Sequence, residues 1–506
     1  MSMKQPDRNA VNAENLAKKR PLIRSASHRL GSAMRLVAFA GVSTLLLSGC
    51  GNDADEHDQQ VEADKAATSD PTLVKQGLYM ARASDCAACH TTEGGENYAG
   101  GLAFETPVGE IFSTNITPDA EHGIGDYTLD DYTRALREGK TTDGHLYPAM
   151  PFPSFARLTD DDIEALYAWN MHEVAPDSTP NRASEIPFPL NMRWPMWLWE
   201  KSFSSLEPWQ DDAEQSAEWN RGAYLVQGPG HCSSCHTERG LALQEKAQTQ
   251  DEDGYLGGAM IDGWRAFNLT PDVKDGLGSW SEQDIVTYLS TGNLQGKAQA
   301  GGPMADVITH STRHMSDDDL NAMAVYLTSL PALNGEGEAG DAVNDDDRDA
   351  ENPTATRFNQ GAPADDVLAL RGQPLDTRSD DENRVGQLTD ATAGDRLYLG
   401  HCAACHGANG GGTPNGDYPS LFHNSVTGSV YADNLAQVIL NGVEREGNEH
   451  SVFMPAFERR LTDDELINLM DYLENRFGRD QQKTSLEAPN SRRQQLNDKL
   501  TDWHDE

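Results

Sequence analysis

The sequence predicts a mainly α chain of three tandem units, and two observations carry that expectation. One is a pentapeptide, Cys-x-x-Cys-His, present as Cys86-Ala-Ala-Cys89-His90, Cys232-Ser-Ser-Cys235-His236 and Cys402-Ala-Ala-Cys405-His406. The other is a set of helix signals that recurs around each copy in the same order. A short helical stretch with Gly and Tyr precedes each pentapeptide: Gly77 with Tyr79, Gly222 with Tyr224, Gly394 with Tyr398. Downstream, a second helix runs into Gly139, Gly292 or Gly442, and Gly just past a periodic run is the expected stop. A third helix then opens on Thr159, Ser316 or Thr462, each followed by three acidic residues that suit the positive end of the helix dipole. Its apolar positions recur at helical spacing: Ile163, Leu166, Tyr167; Leu320, Met323, Tyr326, Leu327; Leu466, Leu469, Met470, Leu473.

The pentapeptide sets two thiols and an imidazole on one helical turn. That arrangement suits a c-type haem, with thioethers to both cysteines and the histidine on iron. The expected covalent positions are Cys86 and Cys89, Cys232 and Cys235, Cys402 and Cys405, with His90, His236 and His406 as iron ligands. Cys-x-x-Cys alone also serves zinc or thiol redox chemistry. Zinc would want two such pairs close together, and the three pairs here lie more than 100 residues apart. Disulfides within the pairs would leave three trailing histidines unexplained. Six of the seven cysteines lie in these motifs.

The seventh, Cys50, closes Leu47-Ser48-Gly49-Cys50 after an apolar run at 36–47 and a basic N-terminus. Residues 1–50 therefore read as a secretory signal, too short in its apolar part to span a bilayer permanently. The tetrapeptide resembles the bacterial lipobox, whose cysteine is lipidated and becomes the mature N-terminus. An ordinary signal with an incidental Cys50 is the alternative, and Met34 offers a second start. Either way the expected location is the periplasmic side of a bacterial membrane, lipid-anchored in the first case.

The chain carries 81 acidic and 40 basic residues, for a net charge of −41. Residues 1–49 hold eight basic and two acidic side chains, which leaves about −47 on the remainder. Like-charge repulsion excludes nucleic acid as a partner. Acids spread through every segment read as a highly solvated surface, with docking to a basic redox partner as the other reading. The expected order is signal 1–50, acidic tether 51–71, unit 72–176, Trp-rich bridge 177–215, unit 216–332, acidic linker 333–385, unit 386–478 and polar tail 479–506. A linker of that length argues for a tether or wrapping segment, with a third unit able to move relative to the others.

The recurring order of helix, Cys-x-x-Cys-His turn, helix, Met loop and capped helix resembles class I cytochromes c, in which the first and last helices cross where a Gly meets an aromatic. The register then singles out Met150, Met304 and Met454 as the second axial ligands. Each lies 11 or 12 residues past its stop Gly, ahead of the third cap, and touches Pro: Pro148-Ala-Met150-Pro151, Pro303-Met304, Met454-Pro455. Pro fixes the backbone of a loop that must approach the open haem face. Met323 and Met470 fall on apolar helix stripes and read as core. Met315 is the runner-up in the second unit; Met171 and Met260 match no repeat position. His145, His310, His314 and His450 are alternatives in any one unit. His/Met ligation raises the haem potential.

Two further repeats narrow the resemblance. Asn115-Ile-Thr-Pro-Asp119 and Asn268-Leu-Thr-Pro-Asp272 occur only in the first two units, each followed by a glycine pair. With Tyr147-Pro-Ala-Met-Pro-Phe152, Gly302-Pro-Met304 and the bridge Phe188-Pro-Leu-Asn-Met-Arg-Trp194, they make the chain similar to the tri-haem cytochrome c subunits of periplasmic membrane-bound dehydrogenases of the alcohol and gluconate/sorbitol type. The resemblance covers about residues 72–332 and 386–478. It implies three covalent c-type haems and no substrate chemistry in this chain alone. It also implies electrons taken from a catalytic subunit, either a pyrroloquinoline quinone protein or a flavoprotein, and passed to ubiquinone. A free-standing lipoprotein cytochrome serving a terminal oxidase or reductase is the alternative; a haem peroxidase would need an open sixth site, against the Met register. The Trp-rich bridge, with Trp194, Trp197 and Trp199, reads as packing between the first two units, with a docking surface near the membrane as the functional alternative. The tail after Phe477 shows no apolar face, so membrane attachment falls to Cys50.

Overall fold

Pro71 at the start of a helix costs no hydrogen bond, and Asp70 caps it by accepting from the Thr72 amide at 2.7 Å. That local chemistry begins the first helix pair of a computed structural model that describes residues 53–334, save 143, 205, 206 and 274, and residues 393–478, save 414–417, 423, 430 and 448–450. The signal with Cys50, His450, the linker from 335 onward and the polar tail from 479 lie outside the described residues.

In chain order the described helices are α1 (Asp53–Ala67), α2 (Pro71–Ala83), α3 (Cys86–His90), α4 (Leu129–Glu138), α5 (Phe152–Phe155), α6 (Asp160–His172), α7 (Met196–Phe203), α8 (Ala217–Gln227), α9 (Ser233–His236), α10 (Glu282–Thr291), α11 (Pro303–His310), α12 (Asp317–Ser329), α13 (Ala393–His401), α14 (Ala403–His406), α15 (Asp433–Asn441) and α16 (Asp463–Phe477). The strands among the described residues are two or three residues long and pair as antiparallel ribbons.

Three crossings organise the helices: α2 on α6, α8 on α12 and α13 on α16. Each requires a residue without a side chain. A Cβ on Gly77 would fall 1.8 Å from the Ala165 carbonyl oxygen, and one on Gly222 1.9 Å from that of Ala322. On Gly394 it would fall 2.4 Å from the Asn468 carbonyl oxygen. The next neighbours are Trp169, Tyr326 and Tyr472, so glycine meets an aromatic in all three.

The middle helices start and stop where their side chains direct. Thr128 and Ser281 form capping boxes with Asp131 and Asp284. Gly139 and Gly292 end α4 and α10 in the left-handed region, at φ 65° and 68°. Thr462 and Glu465 make a full box at α16. Thr159 and Ser316 accept from the amides of Asp162 and Asp319, but those two carboxylates turn elsewhere.

The first two units share one continuous core, which includes Met80, Leu166, Tyr167, Tyr224, Leu225, Met323 and Tyr326. The third has its own, around Tyr398, Ile439, Leu469, Met470 and Phe477. Met323 and Met470 are core side chains, as their helical register implies, whereas Met260 is exposed.

Two expectations about connecting segments need correction. The stretch 51–71 is no simple tether: α1 docks on the first unit. The Leu129 amide donates to Asp64, Lys65 donates to the Gly125 carbonyl, and the His172 ring bonds the Lys65 carbonyl, each at 2.9 Å. Acidic composition masked the helix, because its one deeply buried apolar side chain, Val61, is too little for a periodic signal.

The third unit is seated on the second rather than held at a distance. Arg265 pairs with Asp433 at 3.0 Å and lies over the Tyr431 ring. Arg445 donates to the Ala300 carbonyl at 2.7 Å, and Arg313 pairs with Glu446 at 2.9 Å. Linker length sets how far a unit reaches, and surface contacts then decide where it stays.

Candidate haem sites

Each pentapeptide forms one helical turn, with Cys86 opening α3 and Cys232 and Cys402 at the N-caps of α9 and α14. The His236 and His406 amides donate back to the Cys232 and Cys402 carbonyls at 2.9 and 3.0 Å. The turn thus presents two thiols and an imidazole together.

All three imidazoles are fixed in the same way. His90 Nδ1 lies 2.7 Å from the Thr114 carbonyl oxygen, His236 Nδ1 2.6 Å from that of Phe267, and His406 Nδ1 3.1 Å from that of Pro419. A carbonyl only accepts, so Nδ1 carries the proton and Nε2 keeps its lone pair, the arrangement of an oriented metal-binding histidine. Burial lowers the pKa of His90 and His406 and favours the neutral ring that a metal requires.

The Asn-x-Thr-Pro-Asp repeat supplies two of these carbonyls. Thr114 and Phe267 are the residues just before Asn115 and Asn268. The Asn115 side-chain oxygen accepts from the Thr117 amide at 2.9 Å and its hydroxyl at 2.7 Å. Asn268 does the same for Thr270, at 2.8 and 2.7 Å. A buried, locked turn behind each imidazole sets its angle. The third unit lacks the motif and uses Pro419 instead.

The first cavity, about 1,220 Å³ counted out to solvent, is lined by Cys86, Cys89, His90 and, opposite them in the chain's register, Met150. In the third unit Cys402, Cys405, His406 and Met454 line one of about 1,160 Å³. Both are lined chiefly by apolar and aromatic side chains, the surroundings that a macrocycle would take. In the second unit Met304 sits in the first turn of α11 and Met315 just before the cap of α12. Both are half-buried against the core that Cys232 also touches.

The chemistry of the thiols also fits a covalent haem. Burial pushes Cys86 and Cys232 up to about 12 and Cys402 up to about 11. Thiol redox sites do the reverse, lowering the pKa to make a thiolate. Among the described residues no group of three or more His, Cys, Asp or Glu is placed to hold a metal ion. Of the alternative axial histidines, His145 is bonded through Nδ1 to Glu200 at 2.6 Å, and His314 Nε2 accepts from Arg313 at 3.2 Å. His310 lies on α11, half-buried.

His231 was not legible as a site residue. It precedes Cys232 yet lines the first cavity, half-buried, with its ring 5.6 Å from that of Phe155. Its one signal was adjacency to the second pentapeptide. Asp85, just before Cys86, is another: burial first, and then the neighbouring Asp306, hold its carboxyl well above the usual range.

Comparison with known proteins agrees with this geometry. Residues 74–171 match the family model "Cytochrome c", and residues 389–473 match "Cytochrome C oxidase, cbb3-type, subunit III". The chain is 43% identical over 420 residues to the cytochrome c subunit of alcohol dehydrogenase (quinone) from Gluconobacter oxydans, covering 82% of this chain and 80% of that one. It is 38% identical over 462 residues to the fructose dehydrogenase cytochrome subunit of Gluconobacter japonicus, covering 90% and 88%. The gluconate 2-dehydrogenase cytochrome c subunit of Pantoea cypripedii is 40% identical over 425 residues, covering 80% and 86%. Likeness at this level over most of both chains, together with the oriented Cys-x-x-Cys-His turns, places this chain in the family of cytochrome c subunits of membrane-bound dehydrogenases.

Proposed function

We propose that the chain is a tri-haem electron-transfer subunit. In this reading Cys86 and Cys89, Cys232 and Cys235, and Cys402 and Cys405 hold three c-type haems covalently. His90 with Met150, His236 with Met304, and His406 with Met454 are the axial pairs. Each haem supplies one-electron exchange at iron. The chain's own residues set the rest. The Thr114, Phe267 and Pro419 carbonyls orient the imidazoles, and the thioether sulfur of each Met would raise the potential.

Electrons would come from a periplasmic dehydrogenase subunit of the pyrroloquinoline quinone or flavin type and go on to ubiquinone or the respiratory chain. The chain itself would sit on the periplasmic side of a bacterial membrane, with Cys50 lipidated. No described helix is long and apolar enough to cross a membrane.

The observation that carries the reading is the carbonyl-fixed imidazole, repeated at all three pentapeptides. A second supports a short path between the first two haems. His231, beside Cys232, lines the first cavity. The test is native purification of the detergent-solubilised protein, then addition of the substrate of any dehydrogenase that accompanies it. Co-purification of a quinoprotein or flavoprotein and reduction of the haem bands supports the proposal. Haems that stay oxidised, or no partner, contradict it.

A further inference from the structure

The bridge between the first two units carries apolar side chains that the fold leaves uncovered. Phe188 is 78% exposed, Trp194 65%, Leu198 56% and Trp197 48%. Isolated exposed apolar residues are ordinary, but a contiguous set marks a contact surface. The expected packing role belongs to Trp199, whose ring meets Phe152 and Phe203 and whose Nε1 donates to the Ala242 carbonyl at 2.8 Å, and to Trp209, which meets Tyr224 and the Arg157 guanidinium.

The backbone under the ridge is held on both sides. Glu200 turns inward to His145, and the Tyr147 hydroxyl donates to the Leu190 carbonyl at 3.3 Å. Gln248 of the second unit donates to the Phe203 carbonyl at 2.9 Å. On α7 Trp199 and Glu200 therefore face the protein, while Trp197, Leu198 and Lys201 face out.

We propose that the ridge from Phe188 to Leu198 is a bilayer-docking surface that seats among anionic phospholipids. Charge makes the choice of occupant. No carboxylate occurs from residue 186 to 199, the flanking Glu200 is buried, and the local cations are Arg193 and Lys201. The chain as a whole carries −41, so an anionic leaflet repels most of its surface and accepts this face. Trp beside Arg, Leu and Phe is also the composition of a membrane–water boundary. Arg193 lines the first haem cavity and lies over the Tyr147 ring at 5.2 Å, so docking sets the mouth of that cavity against the headgroups.

The test uses the holoprotein with Cys50→Ser, so that no acyl chain at that position contributes. It is mixed with vesicles of phosphatidylethanolamine and phosphatidylglycerol, or of phosphatidylcholine alone, and sedimented. The parent is expected to bind the anionic vesicles. Trp194→Ser with Trp197→Ser should weaken the partition at least tenfold, an order of magnitude set by losing two large apolar side chains from the contact. Lys201→Glu, a surface change that leaves the packing intact, should weaken binding to anionic vesicles and leave phosphatidylcholine unaffected. Haem content and spectrum, read in parallel, keep the result separate from the electron-transfer proposal. A parent that ignores anionic vesicles, or variants that bind as the parent does, overturn the inference. So does a ridge variant that releases the catalytic subunit while still binding vesicles.

Discussion

Tyr224, on the first helix of the second unit, donates its hydroxyl to the carboxylate of Asp162 on the last helix of the first unit. The relationship is returned. Tyr79 of the first unit donates to Asp319 of the second, where Arg221 adds two bonds at 2.7 Å. Equivalent residues exchanging equivalent contacts are the signature of a two-fold pair. Asp162 and Asp319 are also the residues whose carboxylates forgo the capping box, which explains why two of the three boxes stay half-made.

Removing the Tyr224 hydroxyl tests this interface. Tyr224→Phe keeps the ring and leaves the buried Asp162 carboxylate without its strongest partner. The expected loss is about 1–3 kcal/mol, read from thermal or urea unfolding of the holoprotein. A variant as stable as the parent would mean that the bond is incidental.

The reciprocal pair also shows what the sequence conceals. Tyr79 and Tyr224 follow their glycines by two residues, and Tyr398 follows Gly394 by four. Four residues along a helix is the same face, so Tyr398 packs inward on Tyr472 and Phe477 and donates to the Gly407 carbonyl. Two residues along points elsewhere, here to the neighbouring unit. The spacing was visible, but its meaning needed the partner surface. Features fixed locally were legible: the stop glycines Gly139 and Gly292, the caps Thr159, Ser316 and Thr462, and the crossing glycines. The Asn-x-Thr-Pro-Asp turns were legible as turns. Their service to His90 and His236 was not, because the bond is made by the preceding carbonyl, which carries no residue signal.

Asp319 gives a pH dependence. Burial alone would raise its pKa, but the bonds from Arg221 and Tyr79 outweigh this and hold it below the usual carboxylate value. A depressed folded value means the stabilisation is in place above the unfolded pKa of about 3.9 and is lost as pH falls through the folded one. Asp319→Asn should therefore be less stable than the parent at pH 7, with the gap closing in acid. Urea midpoints at pH 7 and pH 3 check it; a gap that persists unchanged at pH 3 contradicts the assignment.

Gly222→Ala places a methyl group 1.9 Å from the Ala322 carbonyl oxygen, which is backbone and cannot rotate away. The helices must part. The expected cost is about 3 kcal/mol, at the upper end for overpacking, with reduced yield of holoprotein. An alanine variant of parental stability would contradict the close crossing.

The axial assignments predict a spectroscopic series. Met150→Leu and Met454→Leu should each remove one iron's sulfur-to-iron charge-transfer absorption and lower that haem's potential. Met304→Leu should do the same for the second unit. If Met315→Leu does so instead, the ligand there is Met315.

The most direct test of the central claim is mass spectrometry of the proteolysed native protein. The peptides containing Cys86 to His90, Cys232 to His236 and Cys402 to His406 should each carry one haem through both cysteines. A pentapeptide recovered with free or disulfide-linked thiols in the mature exported protein would contradict a tri-haem electron path through this chain.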